Sequence, residues 1–83
     1  MIINDKEYGE FDVFLSDDGT LDTVIEICPQ NDFAIDKAGD QEIRFSQEYA
    51  TDFRDEDGAM TNEGFEQLAQ EAVEAYIEQY LID

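Results

Sequence analysis

Between Glu10 and Cys28 apolar and acidic side chains alternate with a period of two. Phe11, Val13 and Leu15 form one apolar row, and Leu21, Thr23, Ile25 and Ile27 form a second. Alternation of this kind marks half-buried strands and predicts strands over residues 8–16 and 20–28, joined by the turn Ser16-Asp17-Asp18-Gly19-Thr20. A two-residue turn at Asp18-Gly19 would pair Leu15 with Asp22 and Val13 with Val24, setting the apolar row of one strand beside the acidic row of the other. A three-residue loop of Asp17, Asp18 and Gly19, with Gly19 in the left-handed position of a bulge, instead pairs Leu15 with Leu21, Val13 with Thr23 and Phe11 with Ile25, and is the expected register. It leaves a solvent face of Glu10, Asp12, Asp22 and Glu26, interrupted by Phe14 and Val24. Glu10 then falls opposite Glu26, a like-charge pairing that opposes folding.

After Pro29 the pattern resumes with Phe33 and Ile35, a turn at Lys37-Ala38-Gly39-Asp40, and then Ile43, Phe45 and Tyr49. This reads as a second hairpin with strands over 32–36 and 41–49. Residues 50–60, which include Asp52-Phe53-Arg54-Asp55-Glu56-Asp57-Gly58, read as an acidic loop, with Thr61 or Asn62 as a helix cap. Beyond it the period changes. Phe65, Leu68, Ala69, Ala72, Val73, Tyr76 and Tyr80 recur at helical spacing and predict an amphipathic helix over 62–81. The expected fold is α+β: an antiparallel sheet of three or four strands in a single domain, residues 1–83, with one long C-terminal helix packed on one face.

Composition narrows function by exclusion. A chain of 83 residues buries only about 60% of the surface its unfolded form exposes, leaving little depth for a walled catalytic cleft. It has no His and one Cys, which removes the usual general base, zinc and iron–sulfur sites and a disulfide framework. No enzyme activity, cofactor or metal site is expected. The 23 acidic residues against 4 basic ones give a net charge of -19, which repels phosphate backbones and anionic membranes alike. Disorder is not expected, because 42% of residues are hydrophobic and 12% aromatic. The chain has no apolar run of transmembrane length and its first residues have neither the basic region nor the apolar run of a signal peptide. Cys28 beside Pro29 suits a reducing interior, so the cytoplasm is the expected location.

Individual motifs add little. Asp55, Asp57 and Gly58 match the third, fifth and sixth positions of an EF-hand loop, but the first ligand then falls on Phe53 and the twelfth on Gly64. Paired carboxylates of the glycosidase kind need a cleft that a small open sheet does not offer. Cys28 has no His partner and reads as a small packed side chain. Ser16 and Ser46 lack the Asp-Ser-Leu context of the helical acidic carrier proteins.

The charge distribution is the remaining feature. Glu63, Glu66, Glu71, Glu74 and Glu78 lie opposite the helix's apolar stripe, and no Lys or Arg follows Arg54. Helices gain about 0.2–0.5 kcal/mol from each Glu–Lys pair one turn apart and lose similar amounts from like charges. Glu78 and Asp83 also oppose the helix dipole. Folding does not ask for this repulsion. Duplex DNA carries one charge per about 1.7 Å, so 19 charges equal roughly 32 Å of duplex, close to the span of about 30 Å expected for a domain of this length.

In size, in the charge of -19, in the absence of His and in carboxylate rows such as Asp52 to Asp57 and Glu63 to Glu78, the chain resembles the small acidic phage-encoded DNA-mimic inhibitors, among them anti-CRISPR proteins. The resemblance is one of class and involves no shared motif or single fold. It implies a non-catalytic inhibitor acting in the host cytoplasm, which occupies the basic surface where a nucleic-acid-binding protein or complex, such as a CRISPR-Cas effector, reads DNA or RNA. The candidate partner-binding residues are Glu10, Asp12, Asp22 and Glu26 on the sheet, Asp52, Asp55, Glu56 and Asp57 in the loop, and Glu63, Glu66, Glu71, Glu74 and Glu78 on the helix. Phe14, Val24 and Phe53 among them offer specificity beyond charge. Two other readings stay open. One is an acidic adaptor or antitoxin binding a basic partner of another kind; the other is a halophilic domain whose charge serves solubility at high salt.

Overall fold

The alternating segments form an antiparallel sheet. The computed structural model describes residues 1–16 and 22–82. Its strands are β1 (Ile2–Asp5), β2 (Gly9–Ser16), β3 (Thr23–Pro29) and β4 (Gln41–Phe45), ordered β1-β2-β3-β4 with each neighbouring pair antiparallel. Helix α1 (Asp32–Lys37) links β3 to β4, α2 (Gln47–Thr51) follows β4, and α3 (Asn62–Tyr76) runs into a π-helical turn, Ile77–Leu81. One sheet face packs on α3. Phe11, Val13, Ile25, Ile27 and Ile43 meet Ala69, Ala72, Val73 and Tyr76 in a common core.

The helix follows its sequence pattern closely. Thr61 is the cap, accepting the Gly64 N–H at 2.9 Å, and Leu68, Ala69, Ala72, Val73 and Tyr76 are buried. At the far end the Ile82 N–H reaches the Ile77 carbonyl, five residues back, at 2.9 Å. This wider turn accompanies the burial of Ile77 and Leu81, while Tyr80 is only partly buried against the core. No helix among the described residues is long and apolar enough to cross a membrane.

Several expectations are corrected. Strand β1 was not anticipated: it is short, and Ile3 opposite Phe11 is its one buried side chain, too little for a period to register. Its turn into β2 is built by Asp5, whose Oδ1 accepts from the Glu7 and Tyr8 N–H groups at 2.9 and 3.1 Å, and by Gly9 at φ 78. The β2–β3 register differs from the expected one, since Phe11 faces Pro29, Val13 faces Ile27 and Leu15 faces Ile25. Each partner is displaced by four residues. An even displacement keeps every side chain on its face, so alternation fixes the face without fixing the register. Glu26 consequently lies opposite Phe14 and Glu42 rather than Glu10, and Glu10 lies opposite Asn4. The anticipated loop of Asp17, Asp18 and Gly19, and the position of Leu21, lie outside the described residues.

Residues 32–36 are helical and not a strand. The Asn31 side chain caps α1, accepting the Ala34 N–H at 2.8 Å, and donates through Nδ2 to the Tyr8 carbonyl. Ala34 turns inward, leaving Phe33 and Ile35 exposed. The fourth strand stops at Phe45 instead of Tyr49, because Ser46 caps α2 by accepting the Tyr49 N–H at 3.3 Å. Tyr49 then stacks on Phe45, with centroids 5.8 Å apart. Ala50 and Thr51 belong to α2, so the acidic loop starts at Asp52.

Candidate partner interface

Because successive side chains of a strand point to opposite faces, the residues that put Ile3, Phe11, Val13, Ile25, Ile27 and Ile43 into the core send their neighbours outward. Four cross-strand rows result on the open face: Asn4 and Glu10; Ile2, Asp12 and Cys28; Phe14, Glu26 and Glu42; Ser16, Val24 and Arg44. Ile2 and Phe14 are exposed, Asp12 and Glu26 half-buried, and Val24 is buried between its neighbours. Of the predicted sheet residues, Glu10, Asp12 and Glu26 share this face. Asp22 lies just before β3 and is paired with Arg44 at 3.7 Å. Asp12 lies 3.6 Å from the Met1 ammonium.

The helix carboxylates lie on the other side of the molecule. Glu63, Glu66, Glu74 and Glu78 are exposed along α3 and its π turn, whose buried stripe faces the sheet. The predicted residues therefore do not form one surface. Glu71 departs from the others, being half-buried and accepting the Tyr49 hydroxyl, an arrangement that raises the Tyr49 pKa. In the loop, Asp52, Asp55, Glu56 and Asp57 are exposed. Asp55 is also part of the loop's own scaffold, for its Oδ1 accepts the Asp57 and Ala59 N–H groups at 2.9 and 3.0 Å.

Arg54 donates to two neutral oxygens, the Gly58 carbonyl at 2.8 Å and Thr23 Oγ1 at 3.0 Å, pinning the acidic loop to the start of β3. Lys37 donates to the Leu81 carbonyl at 3.0 Å, supplying from α1 the positive charge that the C-terminal helix lacks in its own sequence. Its ammonium also sits 5.5 Å from the Phe33 ring centroid.

Glu42 and Asp40 were missed as candidates. The alternation that turns Ile43 inward also turns Glu42 outward, so that signal was present in the sequence. Asp40 needed the tertiary structure. With Glu26, Gln41 and Glu42 it lines a shallow recess of ≈ 380 Å³. The adjoining turn is fixed by the Tyr76 hydroxyl, which donates to the Gly39 carbonyl at 2.6 Å, and by Gln41 Nε2, which donates to the Ala38 carbonyl at 3.0 Å. Glu26, Cys28 and Asp40 each bring one potential metal-ligand atom within 4.8 Å of the others. The thiol suits that role poorly: burial, then the Asp40 and Glu26 carboxylates, push its pKa up to about 11, whereas a metal needs the thiolate.

The molecule measures 39 × 21 × 18 Å. With a net charge of -19 it carries about one negative charge per 2 Å of its long axis, against one per about 1.7 Å for duplex DNA. Comparison of the chain with protein-family models, curated proteins and solved structures gives no match.

Proposed function

We propose that this protein is a non-catalytic inhibitor that occupies the basic DNA- or RNA-binding surface of a protein or complex, with a CRISPR-Cas effector of a host defence system as the target class. The observation that carries this reading is the charge per length, which approaches that of a duplex on a body 39 Å long. The placement of Arg54 supports it, since its guanidinium donates to two neutral oxygens of the fold, the Gly58 carbonyl and Thr23 Oγ1. A rigid polyanion of this kind is steered to a cationic groove and gains from release of the anions bound there. Catalysis is not required for inhibition by exclusion.

The test is capture of the target from host lysate, followed by titration with duplex DNA and with salt. Mimicry predicts that DNA and this protein exclude each other and that affinity falls steeply as salt rises. An adaptor or antitoxin that binds a basic partner elsewhere predicts capture undisturbed by DNA, and that result would end the proposal.

A further inference from the structure

We infer that the open sheet face of β2, β3 and β4 is a docking surface for an arginine-bearing segment of a protein partner, read by Phe14, Glu26 and Glu42. The inference rests on the mimicry reading, to which it adds the face and the side chain recognised.

The row Phe14, Glu26, Glu42 runs straight across three strands. Directly opposed residues hold their Cβ atoms about 4.5–5.5 Å apart, so two carboxylates and one aromatic ring sit side by side. Glu26 opposite Glu42 is a repulsive pairing in the free protein, and a cation placed between them relieves it. Phe14, a large apolar side chain, is 45% exposed because it points to the face opposite the core. Beyond Glu26, the recess lined by Asp40, Gln41 and Glu42 gives the carboxylates a concave setting.

This chemistry matches a guanidinium better than an ammonium. A planar guanidinium stacks on an aromatic face while giving two parallel N–H donors to a carboxylate; an ammonium is a compact, strongly hydrated point charge. A second copy of the chain is disfavoured on the same grounds, since its acidic surface would meet this one with like charge. The exposed surface of α3 and its π turn offers Glu66, Glu74 and Glu78 among Gln67, Gln70 and Gln79, with charge but no exposed aromatic ring.

The probes are nona-arginine and nona-lysine, titrated into the isotope-labelled protein at about 150 mM salt, where the Debye length is about 8 Å and distant charges are screened. Nona-arginine should bind roughly two- to fivefold more tightly than nona-lysine, the range of an exposed cation–π contact. The largest amide shifts should fall at Phe14, Glu26 and Glu42. Phe14→Leu should remove most of the arginine preference while keeping an apolar side chain. The double variant Glu26→Gln/Glu42→Gln, which removes a repulsive pair and so keeps its fold, should weaken nona-arginine more than the triple variant Glu66→Gln/Glu74→Gln/Glu78→Gln, although the triple variant loses more charge. Equal binding of the two peptides, or a larger effect from the triple variant, overturns the assignment and leaves charge mimicry through another face intact. Conversely, failure of DNA competition at the natural target ends the mimicry reading without altering the peptide result.

Discussion

Cys28 illustrates how far burial on an acidic face changes one side chain. Its thiol is half-buried on the open face, and burial together with the Asp40 and Glu26 carboxylates pushes its pKa up to about 11. Near neutrality it is therefore a protonated, unreactive thiol. Alkylation by iodoacetamide at pH 8 should run at least about tenfold slower in the folded protein than in urea, because thiolate is the reacting species. Asp40→Asn should recover part of the rate. The same shift has a sign for stability. Between the unfolded thiol's value and about 11 the unfolded chain holds fewer protons than the folded one, so stability falls as pH rises through this window. Tyr49 and Tyr76 move in the same direction, Tyr49 through its hydrogen bond to Glu71 and Tyr76 through burial. Thermal midpoints at pH 8 and pH 10.5 should show the drop, and Cys28→Ser should make it shallower; an unchanged slope in that variant would remove Cys28 as a contributor.

At the scale of elements, the first turn of α3 depends on a missing side chain. Gly64 is buried, and a Cβ at that position would press into the Phe53 carbonyl and lie 2.8 Å from Thr61 Oγ1. Alanine in place of glycine inside a helix ordinarily gains about 1 kcal/mol, whereas forcing an atom into packed backbone costs about 1–3 kcal/mol. The clash should win. Gly64→Ala is expected to lower the urea midpoint by the equivalent of about 1 kcal/mol and at most about 2 kcal/mol, with Gln67→Ala on the exposed side neutral to within about 0.5 kcal/mol. A stabilised Gly64→Ala would mean that the loop yields. Elements with long periods were legible in the sequence, and of the short ones β4 was, whereas β1, α1 and α2 were not. The stripe from Phe65 to Tyr80 and the rows from Phe11 to Ile27 each repeat enough to specify an element and its face. In Asp32–Lys37 only Ala34 is buried, and the signal that decides for helix is the Asn31 cap rather than hydrophobicity. The candidate site was legible in the same degree. Glu10, Asp12 and Glu26 could be put on one face by alternation, but the neighbour relation of Glu26 to Phe14 and Glu42 depends on register, and the closeness of Asp40 depends on a turn held by Tyr76 from α3.

For the whole molecule, ionic strength should act with opposite signs on folding and on binding. The Debye length is about 30 Å at 0.01 M salt and about 10 Å at 0.1 M. Over a body 39 Å long, low salt lets the carboxylates of the open sheet face, the loop and α3 repel one another, and moderate salt confines the repulsion to neighbours. The thermal midpoint should therefore rise between 0.01 M and 0.5 M sodium chloride. About 1 kcal/mol of relieved repulsion corresponds to roughly 4–8 °C for a domain of this size. The fold should nevertheless persist at 0.01 M, because its apolar core does not need salt to form. Binding to a cationic groove must respond in the reverse sense, tightest at low salt and lost as the competing ions return. A halophilic domain would unfold at 0.01 M, and a partner held by apolar contact would bind with little salt dependence. Melting curves and capture measured across one salt series separate all three, since a polyanion mimic has to gain stability over the range in which it loses its target.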